Sequence, residues 1–317
     1  MWRHPFFVQE IPLGISAKII EDSISPEGKR LTTFQLRYPL IIHAESKTHR
    51  LHSESGEVIE EFTSPAVMSD PNLSRNARSQ RAVPIKKMIQ EVMGDPFIPL
   101  HWGKAQPGMQ AFEECDAPVK FWDGEDTRED AWLRARDQVV DIAEGFADAG
   151  YHKQLVNRLL SPWLYIDTLV SATEYENFFA LRDHEAAEPH IRALAKAMKQ
   201  CLQESIPSLL EPGQWHLPYT LPEERESLSV SLLQRLSVSR CARISYTPFD
   251  GNASIEKELE RYELLVGSVP GHFSPTEHQG TPDSVAFRKT KGEPIYTSPE
   301  LHGNLKGWCQ YRKLIDG

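Results

Sequence analysis

The chain predicts an α+β fold around one continuous core, and three observations carry that prediction. The first fifty residues carry strand signals, and helical periodicity sets in after Pro84. No repeat, low-complexity tract or Pro/Gly/Ser-rich linker divides the 317 residues, so 1–317 reads as a single domain.

Taken in order, Ala17 to Ile20, Leu31 to Leu36 and Tyr38 to Ala44 read as strands, with Ser25-Pro26-Glu27-Gly28 as a turn between the first two. Residues 51–73 read as an acidic insertion loop. From Ser53 to Leu73 they carry Glu54, Glu57, Glu60, Glu61 and Asp70 and no Lys, Arg or His. Pro84 suits the first turn of a helix over Ile85 to Met93, which Gly94-Asp95-Pro96 stops. An irregular connection follows from Phe97 to about Gly124. Thr127, with Glu129 and Asp130 behind it, opens a long amphipathic helix. Its apolar face is predicted to hold Trp132, Val139, Ile142 and Phe146, and Gly150 stops it. Further helices are predicted over His152 to Leu160, Ile166 to Leu181, Pro189 to Glu204, Glu223 to Arg240 and Ile255 to Val266. After Pro270 loops and short extended pieces are expected, and residues 281–317 read as a C-terminal extension.

Composition narrows the functional classes. A hydrophobic share of 40% with 25% charged residues excludes global disorder. The apolar run from Pro39 to Ile42 is far shorter than a membrane span, and Met1-Trp2-Arg3-His4-Pro5 lacks a secretory pattern, so a cytoplasmic address is expected. Cys115, Cys201, Cys241 and Cys309 form no C-x-x-C pair and read as reduced packing residues. The net charge of −10, from 35 basic and 45 acidic residues, argues against a protein that coats nucleic acid. An anionic ligand would therefore be gripped locally, where arginines gather.

They gather in Thr48-His49-Arg50 and in Ser74-Arg75-Asn76-Ala77-Arg78-Ser79-Gln80-Arg81. A guanidinium fork and a neighbouring hydroxyl suit a phosphate, which makes Ser79 and Arg81 candidates. From charge alone the same residues read as an arginine-rich surface loop; their order points elsewhere. With the acidic insertion set aside, the two pieces resemble the R-H-R-x-x-S-x-N-E-x-S-x-R signature of the flavin-dependent thymidylate synthase (ThyX) family. His49, Arg50, Ser74, Asn76, Ser79 and Arg81 match, whereas Thr48 and Ala77 depart from it, and Glu45 stands where the family carries a glutamine. A second block, Asn177-Phe178-Phe179-Ala180-Leu181-Arg182 followed by Ala187-Glu188-Pro189-His190-Ile191-Arg192, is similar to the family's N-F-x-x-L-R and A-Q-x-E-I-R. A third, Cys241-Ala242-Arg243-Ile244-Ser245-Tyr246 and then His272-Phe273-Ser274-Pro275-Thr276-Glu277-His278, resembles A-R-x-S-(F/Y) and H-x-S-P-F-E-H. In ordinary members that third block precedes the arginine motif. Its position here implies a circular permutation.

The resemblance implies a ThyX-like fold of helices with an antiparallel sheet, and reductive methylation of dUMP to dTMP, a step of nucleotide biosynthesis. It implies a flavoprotein methyltransferase with FAD reduced by NADPH, methylenetetrahydrofolate as carbon donor, and a homotetramer with flavin across a subunit interface. Ser79, Arg81 and Arg192 become the candidate catalytic residues, with the two arginines on the nucleotide phosphate and Ser79 and Glu45 at the nucleotide. His49, Arg50, Asn76, Arg182, Ser245 and His278 become the flavin-site candidates. A carboxylate at Glu45 or Glu188 could accept from an exocyclic amine, so a flavin-dependent methylase or hydroxymethylase of another pyrimidine nucleotide (dCMP or dUMP) is the alternative enzyme. A nucleotide- or flavin-binding scaffold without catalysis is the alternative of another class. His49 with His52, and His184 with His190, lack a third metal ligand at convincing spacing, and no metal is expected. Arg312 or Lys313 is a candidate replacement for the charge missing at Thr48.

Overall fold

The computed structural model describes residues 8–11, 14–43, 74–108, 110–244, 254–287 and 294–315. In chain order its elements are β1 (Val8–Ile11), β2 (Ile15–Ile24), β3 (Arg30–Pro39), β4 (Ser74–Ala77), α1 (Ile85–Gly94), β5 (Val119–Phe121) and β6 (Gly124–Asp126). Then come α2 (Arg128–Asp148), α3 (Lys153–Leu159), β7 (Tyr165–Ala172), α4 (Glu176–Arg182), α5 (Pro189–Glu204), β8 (Ser208–Leu209) and α6 (Pro222–Ser227). The remainder are α7 (Val230–Arg243), α8 (Ile255–Val266), β9 (Gly280–Pro282), β10 (Val285–Phe287), β11 (Ile295–Tyr296), β12 (Trp308–Gln310) and α9 (Tyr311–Ile315). The architecture is mixed α+β, and no helix among the described residues is long and apolar enough to cross a membrane.

The main sheet runs β1-β2-β3-β7-β4, all antiparallel, with β8 added in parallel to one end of β2. Because strand side chains alternate, this sheet has two different faces. On one, Ala17, Phe34 and Val170 pack against Ile191, Leu194 and Met198 of α5. On the other, Ile20 and Leu169 meet Cys241 and Ile244 at the end of α7, with Tyr219 between them. A separate cluster joins α1, α2 and α3 through Met88, Val92, Val140, Ala143 and Val156. Thr127 Oγ1 accepts from Asp130 N and starts α2 as its sequence predicts.

Four expectations are corrected. Ile166 to Leu181 is not one helix: Tyr165–Ala172 is the strand between β3 and β4, and only Glu176–Arg182 is helical. Both faces of β7 are covered, so Thr168 to Ala172 are all buried and no period-2 alternation reaches the sequence. Tyr38 to His43 form no separate strand either, and Ala44 lies outside the described residues. Tyr38 and Pro39 finish β3, and Leu40–Ile42 close into a 3-10 turn whose first N–H donates to Leu164 O at 2.8 Å. Glu223 to Arg240 divides into α6 and α7 because Ser229 caps a new helix, accepting from Leu232 N. On α2 the inward residues include Val140 and Ala143, while Ile142 is 52% exposed. Within the described residues 281–287 and 294–315, β12 pairs with β9, and Trp308 and Leu305 pack on Leu31 of β3.

Candidate functional site

The strand β4 is where the first arginine block meets the main sheet. Ser74 and Asn76 alternate onto the α7 face. Ser74 Oγ donates to Glu277 O, and Asn304 Nδ2 and Gln310 Nε2 donate to Ser74 Oγ at 3.1 and 3.2 Å. Asn76 Nδ2 donates to Cys241 O at 3.3 Å. Glu277 ends the short 3-10 turn Ser274–Glu277, and Cys241 lies in the last turn of α7. The first and third sequence blocks therefore touch, although they are separated by |i−j| values of 203 and 165. Arg312 joins the same corner, its guanidinium 4.3 Å from the Phe273 ring and 3.7 Å from Glu277 Oε1.

Past β4 the arginines part company. Arg78 N donates to Asp167 O, and its guanidinium forks onto Glu91 of α1 at 2.7 and 3.2 Å, so Arg78 is committed to the fold. Burial raises the pKa of the Asp167 carboxyl, offset by Arg37 and Arg78 nearby. Ser79 and Arg81 instead point to solvent, at and within the 3-10 turn Gln80–Ala82.

Beneath this surface lies a polar chain that the sequence did not announce. Ser23 Oγ pairs with His216 Nδ1 at 2.8 Å, and His216 Nε2 with Thr33 Oγ1 at 2.8 Å. Thr33 Oγ1 pairs with Ser171 Oγ at 2.5 Å, and Ser171 Oγ with His278 Nδ1 at 2.9 Å. All five residues are fully buried, and His278 Nε2 ends the chain without a hydrogen-bond partner. Desolvation lowers the His278 pKa to about 3 and holds His216 well below its ordinary value, with Arg225 and His278 adding to the effect at His216. Both rings are neutral. His278 thus faces inward, onto a strand hydroxyl.

The second block occupies the other face of the sheet. Arg182 ends α4 and is buried, while Arg192 sits half-buried on α5 with its Nε buried and lacking a hydrogen-bond partner. Glu188 caps α5: its Oε2 accepts from His190 N and Ile191 N at 2.9 and 3.0 Å, and its Oε1 pairs with His190 Nδ1. His190 Nε2 accepts from Leu100 N at 2.8 Å, which leaves the ring proton on Nδ1, facing Glu188. His184 Nδ1 accepts from Ala186 N. Among the described residues no three His, Cys, Asp or Glu side chains are grouped to hold a metal ion. Glu45, Thr48, His49, Arg50, His52 and Ser245 lie outside the described residues, as does the 51–73 segment.

No family model and no curated protein matches the chain.

Proposed function

We propose that the chain is a flavin-dependent thymidylate synthase that methylates dUMP reductively to dTMP, with methylenetetrahydrofolate as carbon donor and NADPH as reductant. One observation supports this reading above the others. Ser74 and Asn76 of the first motif hydrogen-bond to Glu277 and Cys241 of the third, as the return of a permuted segment to its old neighbours requires. Arg81 and Arg192 would hold the nucleotide phosphate, and Arg192 already carries a buried N–H that lacks an acceptor. Ser79, exposed beside Arg81, would orient the nucleotide rather than attack it. The flavin, when bound, supplies the hydride.

The described flavin candidates do not make a cradle within one protomer. Asn76 and His278 are buried on the α7 face, and Arg182 is buried among the helices of the opposite face. On this reading the flavin would be held with the help of His49, Arg50 and Ser245 and of a neighbouring protomer, as in a homotetramer. Under the dCMP alternative, Glu188 would have to accept from the base while its oxygens also cap α5 and meet His190.

Growth of a thymidine auxotroph carrying this chain tests the proposal, and growth is expected. Absence of growth together with colourless protein that takes up no FAD would refute it. Product analysis with dUMP and dCMP separates the two enzymes: methylation of dUMP is expected, and methylation or hydroxymethylation of dCMP alone would replace this reading with the alternative.

A further inference from the structure

The turn that carries Arg81 sends the Arg81 and Ala82 side chains out and its carbonyls toward α3. Ser79 and Arg81 are exposed, yet three carbonyls around them are gripped from α3. Asn157 Nδ2 donates to Gln80 O at 2.8 Å and to Val83 O at 2.9 Å, and Lys153 Nζ donates to Ala82 O at 3.1 Å. One amide thus fixes both ends of the arc from Gln80 to Val83. The turn already closes on itself, since Ala82 N donates to Ser79 O and Val83 N to Gln80 O. The bonds from α3 are a second restraint on the same turn. This one is also costly: Asn157 is 1% exposed, and its Oδ1 has no hydrogen-bond partner, nor does the buried Gln80 Nε2 beside the turn. Burying polar atoms unpaired opposes folding, and such local conflicts collect where a geometry is held for function.

We infer that Asn157 is a positioning residue, holding the Ser79 hydroxyl and the Arg81 guanidinium as a preformed grip for a phosphate monoester. Preorganisation of this kind raises affinity by removing the ordering cost from the binding step. The inference rests on the reading of Arg81 as a phosphate contact.

Calorimetric titration of the full chain, with and without added FAD, tests it with two probes, dUMP and inorganic phosphate. In Asn157→Ala, which removes both of these hydrogen bonds, both probes are expected to bind about tenfold more weakly. Asn157→Ser, which keeps one donor, should fall between, and Arg81→Ala should lose both probes. Unchanged affinities in folded Asn157 variants that merely melt earlier would make Asn157 a packing residue and overturn the inference. So would an unaltered protein that binds neither probe. If neither Asn157 variant folds, Lys153→Ala decides: weaker binding of both probes supports the clamp, and unchanged binding overturns it. If phosphate responds to Asn157 as expected while dUMP binds no better than phosphate, the clamp stands and the nucleotide reading falls.

Discussion

At Glu188 the chain carries a carboxylate where the resembled family has glutamine, and both oxygens serve the start of α5. Glu188, a reader of the base under the alternative substrate, serves in the fold as a helix cap. Glu188→Ala should therefore cost about 1 kcal/mol of stability, as loss of an N-cap does. On the proposed reading, the variant's preference between dUMP and dCMP, measured as kcat/KM for each, should match that of the unaltered protein; a changed preference would place Glu188 at the substrate. The same residue shows what was legible at the site. Ser79 and Arg81 were readable as exposed donors because local order and composition decide exposure in a turn. That Asn76 and His278 face inward was not readable, since their partners Cys241 and Ser171 lie far away in sequence. Asn157, Thr33, Ser171 and His216 left no local mark, being ordinary residues whose roles come from what the sheet sets opposite them.

Three strands, β2, β3 and β7, contribute one hydroxyl each to the chain ending at His278. Its two imidazoles are neutral when folded and regain an ordinary basicity when unfolded. His278 falls from 6.5 to about 3, so between those values the unfolded chain binds more protons than the folded one. The stability from the neutral ring is present above pH 6.5 and is lost as pH falls toward about 3. Urea midpoints should decline on acidification from pH 7.5 to 5, and His216→Gln should flatten that decline. An equal slope in the variant would show that other groups drive it. At this same scale, α5 and α8 were readable because each has one buried stripe and a sharp cap or stop. The strand β7 was not, because burial on both sides erases the alternation that marks a strand.

Across the whole molecule, the α+β class was predictable from the order of strand-like and helical stretches, whereas the place of residues 305–311 was not. Leu305, Trp308 and Tyr311 are apolar or aromatic residues in a loop-like stretch, and only the tertiary fold gives them partners. Trp308→Ala should cost about 3–5 kcal/mol, read from denaturant midpoints, because a fully buried indole leaves a cavity. A loss well under that would mean the segment is merely laid on the surface. The indole also donates to Lys29 O, bridging |i−j| of 279. During translation the β2–β3 hairpin therefore waits, its Leu31 end uncovered, until nearly three hundred further residues have been made. Chains stalled on the ribosome before residue 305 should stay protease-sensitive around that hairpin, and a cell making this protein must keep a half-finished sheet from finding other edges in the meantime.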